Sequence, residues 1–447
     1  MSITLGLNFN HADSSACIFV DGKLKFALEE ERVNRIKHWA GIPIESIKFC
    51  LKENNLEFKD IENITVNTNP GSNINQKLIF FLKNYLFGKK KFEIFNRIKK
   101  KLILKNELSN LFDKESTNLK IHYIDHHISH ISSAFYASNY NHAIGLSIDG
   151  FGDFCSLLIA DCTESKIKPI EKIYFPNSIG LIYEAFTQFI GFKKYGEEYK
   201  MMGLSSLGEP KYKDKIKLNL FKDYNNLKLN LKYFNHYSFH RPGMINEILE
   251  NYLGINKNKL GKNLTKDYYN IAYAAQKIFE KIYISLINSL SKKNKSNNLV
   301  IAGGCALNCV ANGKVLKKTN FKKLFVPPVP DDSGAGTGAA LFVNSLFNKS
   351  YKIDFKDNYL GPSFSDDQIL EILEKFKLKF ERIEDICDDA TNSIISGKII
   401  AWFQGRLEFG DRALGNRSIL ADPRNPSIKD KINKFVKYRE KFRPFAP

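Results

Sequence analysis

No stretch of this sequence approaches the roughly 18 uninterrupted apolar residues that a membrane-spanning helix needs, which argues against an integral membrane protein. The opening residues, MSITLGLNFNHADSS, run straight into a strand pattern and lack the basic-then-apolar order of a secretory signal. Cysteine is sparse and unpaired in pattern: seven residues, an odd number, scattered from Cys17 to Cys387 with no CxxC spacing. That argues against a disulfide framework and a structural zinc site, so a soluble cytoplasmic setting is expected. Disorder is excluded by composition. With 43% hydrophobic and 26% charged residues over 447 positions, a large core is within reach, and the length suggests about three domains or lobes.

Charge is what the chain has in excess. Lys+Arg 67 against Asp+Glu 48 gives +19, a balance that could signal nucleic acid. Yet Lys, Asn and Ile are abundant throughout, the pattern of an AT-biased genome, and an RNA-binding reading explains nothing but the charge. Residues 83–105 gather Lys89, Lys90, Lys91, Arg97, Lys99, Lys100 and Lys101, read as a solvated helix face. Residues 401–447 differ in kind: Arg406, Arg412, Arg417, Lys437, Arg439 and Arg443 sit among glycines and prolines. The planar arginine fork favours phosphate-like anions, so this cluster is read as an anion site.

Residues 3–28 predict a β-hairpin turning at Asp21-Gly22, and residues 143–175 repeat the plan, the opening strands ending near Asp13 and Asp149. This weak duplication predicts two α/β lobes around a cleft, about 1–142 and 143–345, followed by a linker over 346–360 and a smaller unit over 361–447. Helices are expected around 43–53, 309–318, 366–377 and 384–396. A long amphipathic helix is marked by Ile271, Ala275, Ile278, Ile282 and Leu286. The last unit, ending on REKFRPFAP, reads as incomplete beside an ordinary domain.

Four patterns carry chemistry. In DHHISHISSAF, His126 and His130 stand four apart, which on a helix stacks both imidazoles over one point. Asp149 and Asp332, at strand ends, are the natural carboxylates to complete a site for Fe(II), Mn(II) or Zn(II). His127 is expected to pack or hydrogen-bond beside them. Gly303, Gly304 and Asn308 in GGCALN, with Gly334 opening a helix in DDSGAG, suit the approach of a nucleotide, and Cys305 and Cys309 are expected as buried packing. In GEEYKMMGL, Glu198 and Lys200 are candidates for ribose and phosphate, with a surface salt bridge as the alternative. The arginine-rich tail is the fourth.

The strings HADSSACIFVDGKLKFALEEERVNRIKHWAGIP, HHISHISSAF, GEEYKMMGL, GGCALN, DDSGAGTGAAL and GRLEFGDRALGNRSILADPR resemble, in order and over the whole chain, the O-carbamoyltransferases of the nodulation and antibiotic-tailoring type. The resemblance implies an actin-like two-lobed domain, similar to the tRNA threonylcarbamoyl transferase, followed by an α/β domain similar to threonylcarbamoyl-adenylate synthase. It implies metal ligands His126, His130, Asp149 and Asp332, with iron(II) favoured over manganese or zinc. Nucleotide turns would be Gly303, Gly304, Asn308 and Gly334. The tail cations would take carbamoyl phosphate and ATP, with magnesium admitted. His11 and Asp13 would orient or deprotonate the hydroxyl of a sugar or other small acceptor, and a homodimer is compatible. One departure is Asp411, where the family usually carries proline. The alternatives are a tRNA-type transferase, which normally lacks the fused domain, and an actin-fold sugar kinase, which needs neither the His pair nor the arginine tail.

Overall fold

The structure, a computed structural model, describes residues 2–84, 104–111, 119–164, 166–223, 227–238, 243–259, 261, 263–293, 296–347, 352–353 and 357–445. The cationic stretch Lys89–Lys101 lies outside the described residues. The chain forms two compact units, Met1–Phe355 and Lys356–Pro447.

The larger unit contains two five-stranded sheets of the same plan. In the first, β1 (Ile3–Asn8), β2 (Ser15–Val20) and β3 (Lys23–Glu29) run antiparallel, and β4 (Asn63–Val66) and β5 (Lys120–Tyr123) extend it in parallel. The order is β3-β2-β1-β4-β5. The predicted hairpin is therefore β2 and β3, the second half of a three-stranded meander that β1 opens. Its turn is at Asp21-Gly22, where both residues take positive φ (48° and 74°), the pairing that a tight hairpin of the strands' own twist demands.

The second sheet repeats the order as β8-β7-β6-β11-β12. Here β6 is His142–Gly152, β7 Cys155–Thr163 and β8 Lys166–Tyr174; a small ribbon of β9 (Phe221–Asp223) and β10 (Lys228–Leu229) intervenes before β11 (Asn298–Ala302) and β12 (Lys323–Phe325). Three antiparallel strands followed by two parallel ones, twice over, is the actin-like arrangement. Unbroken burial along β1, and along β2 up to its last residue, reflects a sheet covered on both faces. Leu5, Leu7, Ile18, Phe26, Leu28, Ile64 and Val66 share one core.

Of helices α1 (Ile44–Lys52), α2 (His126–Phe135), α3 (Ile179–Ile190), α4 (Glu198–Leu204), α5 (Lys266–Lys293) and α6 (Asp332–Phe347), α4 and α5 pack against α3 and the others pack on these sheets. On α5 the expected stripe is buried at Ile271, Ala275, Ile278 and Ile282, but Ile287 takes the inward place expected of Leu286. The helix expected over 309–318 is two pieces, Cys309–Asn312 and Val315–Lys318. Gly313 falls at the break, where glycine's large loss of backbone freedom disfavours a continuous helix. Packing between α2 and α6 depends on Gly338: a Cβ there would collide with the Ser129 carbonyl oxygen of α2.

The smaller unit has α7 (Asp366–Lys375), α8 (Ile386–Ile395) and a ribbon of β13 (Ile400–Phe403) against β14 (Arg417–Leu420). β14 falls within the stretch whose cations sit among glycines and prolines, and Arg417 is its first residue.

Candidate metal centre and the surrounding cleft

The centre is built on the first turn of α2. Asp125 is its N-cap and accepts from the amides of His127 (3.1 Å) and Ile128 (3.3 Å), satisfying donors that a helix start otherwise leaves orphaned. One turn apart, His126 and His130 bring their Nε2 atoms to 3.2 Å. Asp149 reaches in from β6, its Oδ2 3.0 Å from His126 Nε2 and 3.6 Å from His130 Nε2. Its Oδ1 is fixed by the Gly150 amide at 2.7 Å. Asp332, the first residue of α6, places Oδ1 3.2 Å from His130 Nε2 and 3.4 Å from His126 Nε2. Gly152 makes room for this: a Cβ there would overlap the His126 ring.

These four residues offer one ligand atom each, all within 4.8 Å of one another. Two imidazole nitrogens edge to edge, faced by two carboxylate oxygens, converge four ligand-type atoms on one point. That donor chemistry fits a divalent first-row ion. Burial opposes charge on His130, but hydrogen bonds to Asp149 and Asp332 outweigh it and push its pKa up to about 10 in the metal-free chain. Burial likewise works against the two carboxylates. Hydrogen bonds from His126 and His130 hold Asp149 well below its ordinary range, and the charge of His11 leads those that hold Asp332 low. Both carboxylates are therefore ionised and competent as ligands. His127 is not part of the group: it bonds Ser147 Oγ (2.7 Å) and the Cys155 carbonyl (2.9 Å), and burial with the neighbouring His126 drives its pKa down to about 3.

The two candidates on the first loop part company. His11 Nδ1 lies 2.6 Å from Asp332 Oδ2, with the side chain about half exposed, so it joins the centre from the open side. Asp13 turns to His38 instead, its Oδ1 2.7 Å from His38 Nδ1. It occupies the loop between β1 and β2 at φ 59°, whereas Asp149 lies within β6, so the two duplicated acids are not equivalent positions. His38 joins the site although motif reasoning does not single it out, and NRIKHW lies within one of the strings that carry the resemblance. Glu31 Oε2 accepts the His38 amide (2.8 Å), and the hydrogen bond to Asp13 is the main cause raising the His38 pKa, against burial. Tyr195 is another such residue. Its ring meets His38 edge-on at 5.4 Å, with the residue partly open to solvent. No spacing rule finds either residue, because their partners are remote in sequence.

Gly303 follows β11 at φ 93° and donates its amide to the Pro330 carbonyl (2.7 Å), and Gly304 lies beside Asp149 Oδ1. Gly334, on the first turn of α6, packs against the Val329 carbonyl. Asn308 caps the short helix after it, accepting from the Ala311 amide, and exchanges two 3.0 Å bonds with Gln276. Cys305 is half-buried and Cys309 is exposed, correcting the expectation of buried packing: with Asn308 as cap and Ala311 turned inward, Cys309 faces solvent. Lys200 pairs with Glu197 at 2.8 Å, largely shielded from solvent, and the charge of Glu198 is felt at Tyr183, Tyr195 and Cys305.

In the smaller unit the six cations divide. Arg406 donates to the carbonyls of Gly361 (2.9 Å) and Leu360 (2.7 Å), and Arg443 pairs with Glu440. Arg439 bonds Asn433 Oδ1 at 2.7 Å. Burial and the charges of Arg439 and Arg417 lower the Lys437 pKa, which puts these three side chains in one positive field. Arg412 is exposed. The amides of Leu414, Asn416 and Arg417 are taken by Glu408 Oε1 at 2.8, 2.9 and 3.1 Å, so these three backbone donors are filled by the chain itself.

A duplicated actin-like sheet with a buried His₂Asp₂ group between its halves defines a two-lobed α/β protein with a candidate metal centre. Residues 3–341 match the carbamoyltransferase N-terminus and residues 391–447 the carbamoyltransferase C-terminus, and the chain belongs to the carbamoyltransferase family. It is 34% identical over 465 residues to the uncharacterized protein sll1178 of Synechocystis, covering all of this chain and 75% of that protein. It is 34% identical over 452 residues to the nodulation protein NolNO of Sinorhizobium fredii, covering all of this chain and 63% of that protein. Over 149 residues, 33% of this chain and 27% of the other, it is 36% identical to the 3'-hydroxymethylcephem-O-carbamoyltransferase of Streptomyces clavuligerus. No helix among the described residues is long and apolar enough to cross a membrane.

Proposed function

We propose that the chain is an ATP-dependent O-carbamoyltransferase. It forms carbamoyl-adenylate from carbamoyl phosphate and ATP, then passes the carbamoyl group to a hydroxyl of a sugar or other small metabolite. The observation that carries this reading is the buried His126, His130, Asp149 and Asp332 group inside a chain of this family. Over both steps, carbamoyl phosphate, ATP, water and the acceptor alcohol give the carbamate ester, phosphate, pyrophosphate and AMP.

The positive field of Arg417, Lys437 and Arg439 supports the anion-binding half, and the glycine turns at Gly303, Gly304 and Gly334 support a nucleotide in the cleft. A divalent ion held by the four ligands, iron(II) being the favoured one, would supply Lewis-acid stabilisation of negative charge at the carbamoyl group. His11, half exposed and bonded to Asp332, would in its neutral form take the acceptor's proton. Asp13, tied to His38, would orient that hydroxyl. The new bond joins the acceptor oxygen to the carbamoyl carbon as the bond from that carbon to the AMP phosphate oxygen breaks.

The test is AMP and pyrophosphate release from ATP, with and without carbamoyl phosphate, under anaerobic iron(II). Release that requires carbamoyl phosphate and disappears in Arg417→Ala is expected. ADP and phosphate as products, insensitive to carbamoyl phosphate, would replace this reading with a kinase.

A further inference from the structure

The carboxylate of Asp153 belongs to none of the sequence motifs, yet it ties its own turn to two other segments. It sits in the turn between β6 and β7 at φ 47°. Its Oδ1 accepts from Thr68 Oγ1 at 2.8 Å, and its Oδ2 accepts from the Asn69 amide at 2.8 Å and the His126 amide at 3.0 Å. Its own carbonyl accepts from Asn73 Nδ2 at 2.8 Å. Thr68, Asn69 and Asn73 belong to the loop that leaves β4 of the first sheet, Asp153 belongs to the second sheet, and His126 is the first residue of α2.

The helix-start requirement alone does not explain this arrangement. Asp125 already satisfies the second and third amides of α2, and Lys172 ties Asp125 Oδ2 (3.3 Å) and Asn73 Oδ1 (3.2 Å) into the same knot. Asp153 takes the remaining amide, that of the ligand itself, and shares the oxygen holding it with the first lobe's backbone. Any shift of the loop after β4 relative to the second sheet therefore pulls on the backbone that aims His126.

We infer that Asp153 is a positioning residue for the metal centre, a latch through which the contact between the two lobes sets the orientation of His126. This rests on the proposed metal site. Partners of this kind outside the ligand set typically change metal affinity by about 10- to 100-fold when removed.

The test is zinc(II) affinity of the full chain, measured by chelator competition, with thermal unfolding of the metal-free proteins as a control. Asp153→Ala is expected to weaken zinc binding about tenfold or more. Asp153→Asn, which keeps an oxygen facing the two amides, is expected to stay near wild type. Thr68→Val, which leaves the Asp153 to His126 bond intact, is expected to weaken binding by about threefold, a fraction of the same effect. Wild-type affinity in Asp153→Ala overturns the latch while leaving the metal site standing. Wild-type affinity in Thr68→Val overturns the coupling between lobes and reduces Asp153 to a helix cap. Equal losses in Asp153→Asn and Asp153→Ala mean that charge, not positioning, is responsible. If Asp153→Ala does not fold, Thr68→Val and Asp153→Asn decide the matter. Absence of zinc binding by the wild-type chain overturns the metal reading and the latch together.

Discussion

His130 Nε2 lies 3.2 Å from Asp332 Oδ1 across 202 residues of chain. The contact joins a helix that follows the first sheet to a helix that follows the second, so ligand geometry and lobe packing are one problem. Either His130→Ala or Asp332→Ala is expected to abolish tight zinc(II) binding. In the wild type, zinc at 100 times its dissociation constant should stabilise the folded chain by about 2.7 kcal/mol. Both variants should lose that gain in a thermal or urea titration; retention of it would remove these residues from the ligand set.

The pair of His38 and Asp13 predicts a pH dependence. The folded His38 pKa is raised, chiefly by the hydrogen bond to Asp13 and against burial. Its contribution is therefore complete below the ordinary histidine pKa near 6.5 and is lost as pH rises through the higher folded value. His38→Gln should be less stable than wild type by about 1 kcal/mol at pH 5.5, a charge-assisted bond discounted for partial exposure, with the gap narrowing towards alkaline pH. Urea unfolding across that range checks it, and a gap that widens with pH contradicts the pairing.

Gly338 allows α6 to rest on the backbone of α2. Gly338→Val should cost about 1–3 kcal/mol or more through overpacking against Ser129, and should weaken metal binding because α2 carries both histidines. Gly243, where a Cβ would meet nothing within 4 Å among the described residues, is the control: alanine there should be nearly neutral in the same unfolding and zinc titrations.

Asn308 separates a structural from a nucleotide role. Loss of its cap and of the paired bonds with Gln276 in Asn308→Ala should cost about 1–3 kcal/mol. Asn308→Asp keeps the cap but repels Gln276 Oε1, which accepts from both Asn308 and Tyr183. If Asn308 serves the nucleotide, the KM for ATP in the AMP-release assay should rise beyond what lost stability explains; an unchanged KM assigns it to the scaffold.

Local patterns are legible in the sequence because their physics is local. The turn at Asp21-Gly22, the i, i+4 histidines and the inward stripe of α5 each follow from a period or a φ requirement. The break at Gly313, the exposure of Cys309 and the pairing of β14 depend on which neighbours cover each segment. Glu408 shows the same limit: its place among the amides of Leu414, Asn416 and Arg417 has no signature in a stretch crowded with glycines and arginines.

By itself the sequence determined the duplicated strand plan and the four metal-ligand candidates, because backbone periodicity and side-chain chemistry are written residue by residue. The tertiary structure alone decided that His11 would face Asp332 while Asp13, two residues on, would turn to His38. It alone decided that Tyr195 would stand against His38 and that Asp153 would hold His126. Those outcomes depend on distances between segments far apart in the chain, which packing of the two sheets fixes and no local spacing encodes.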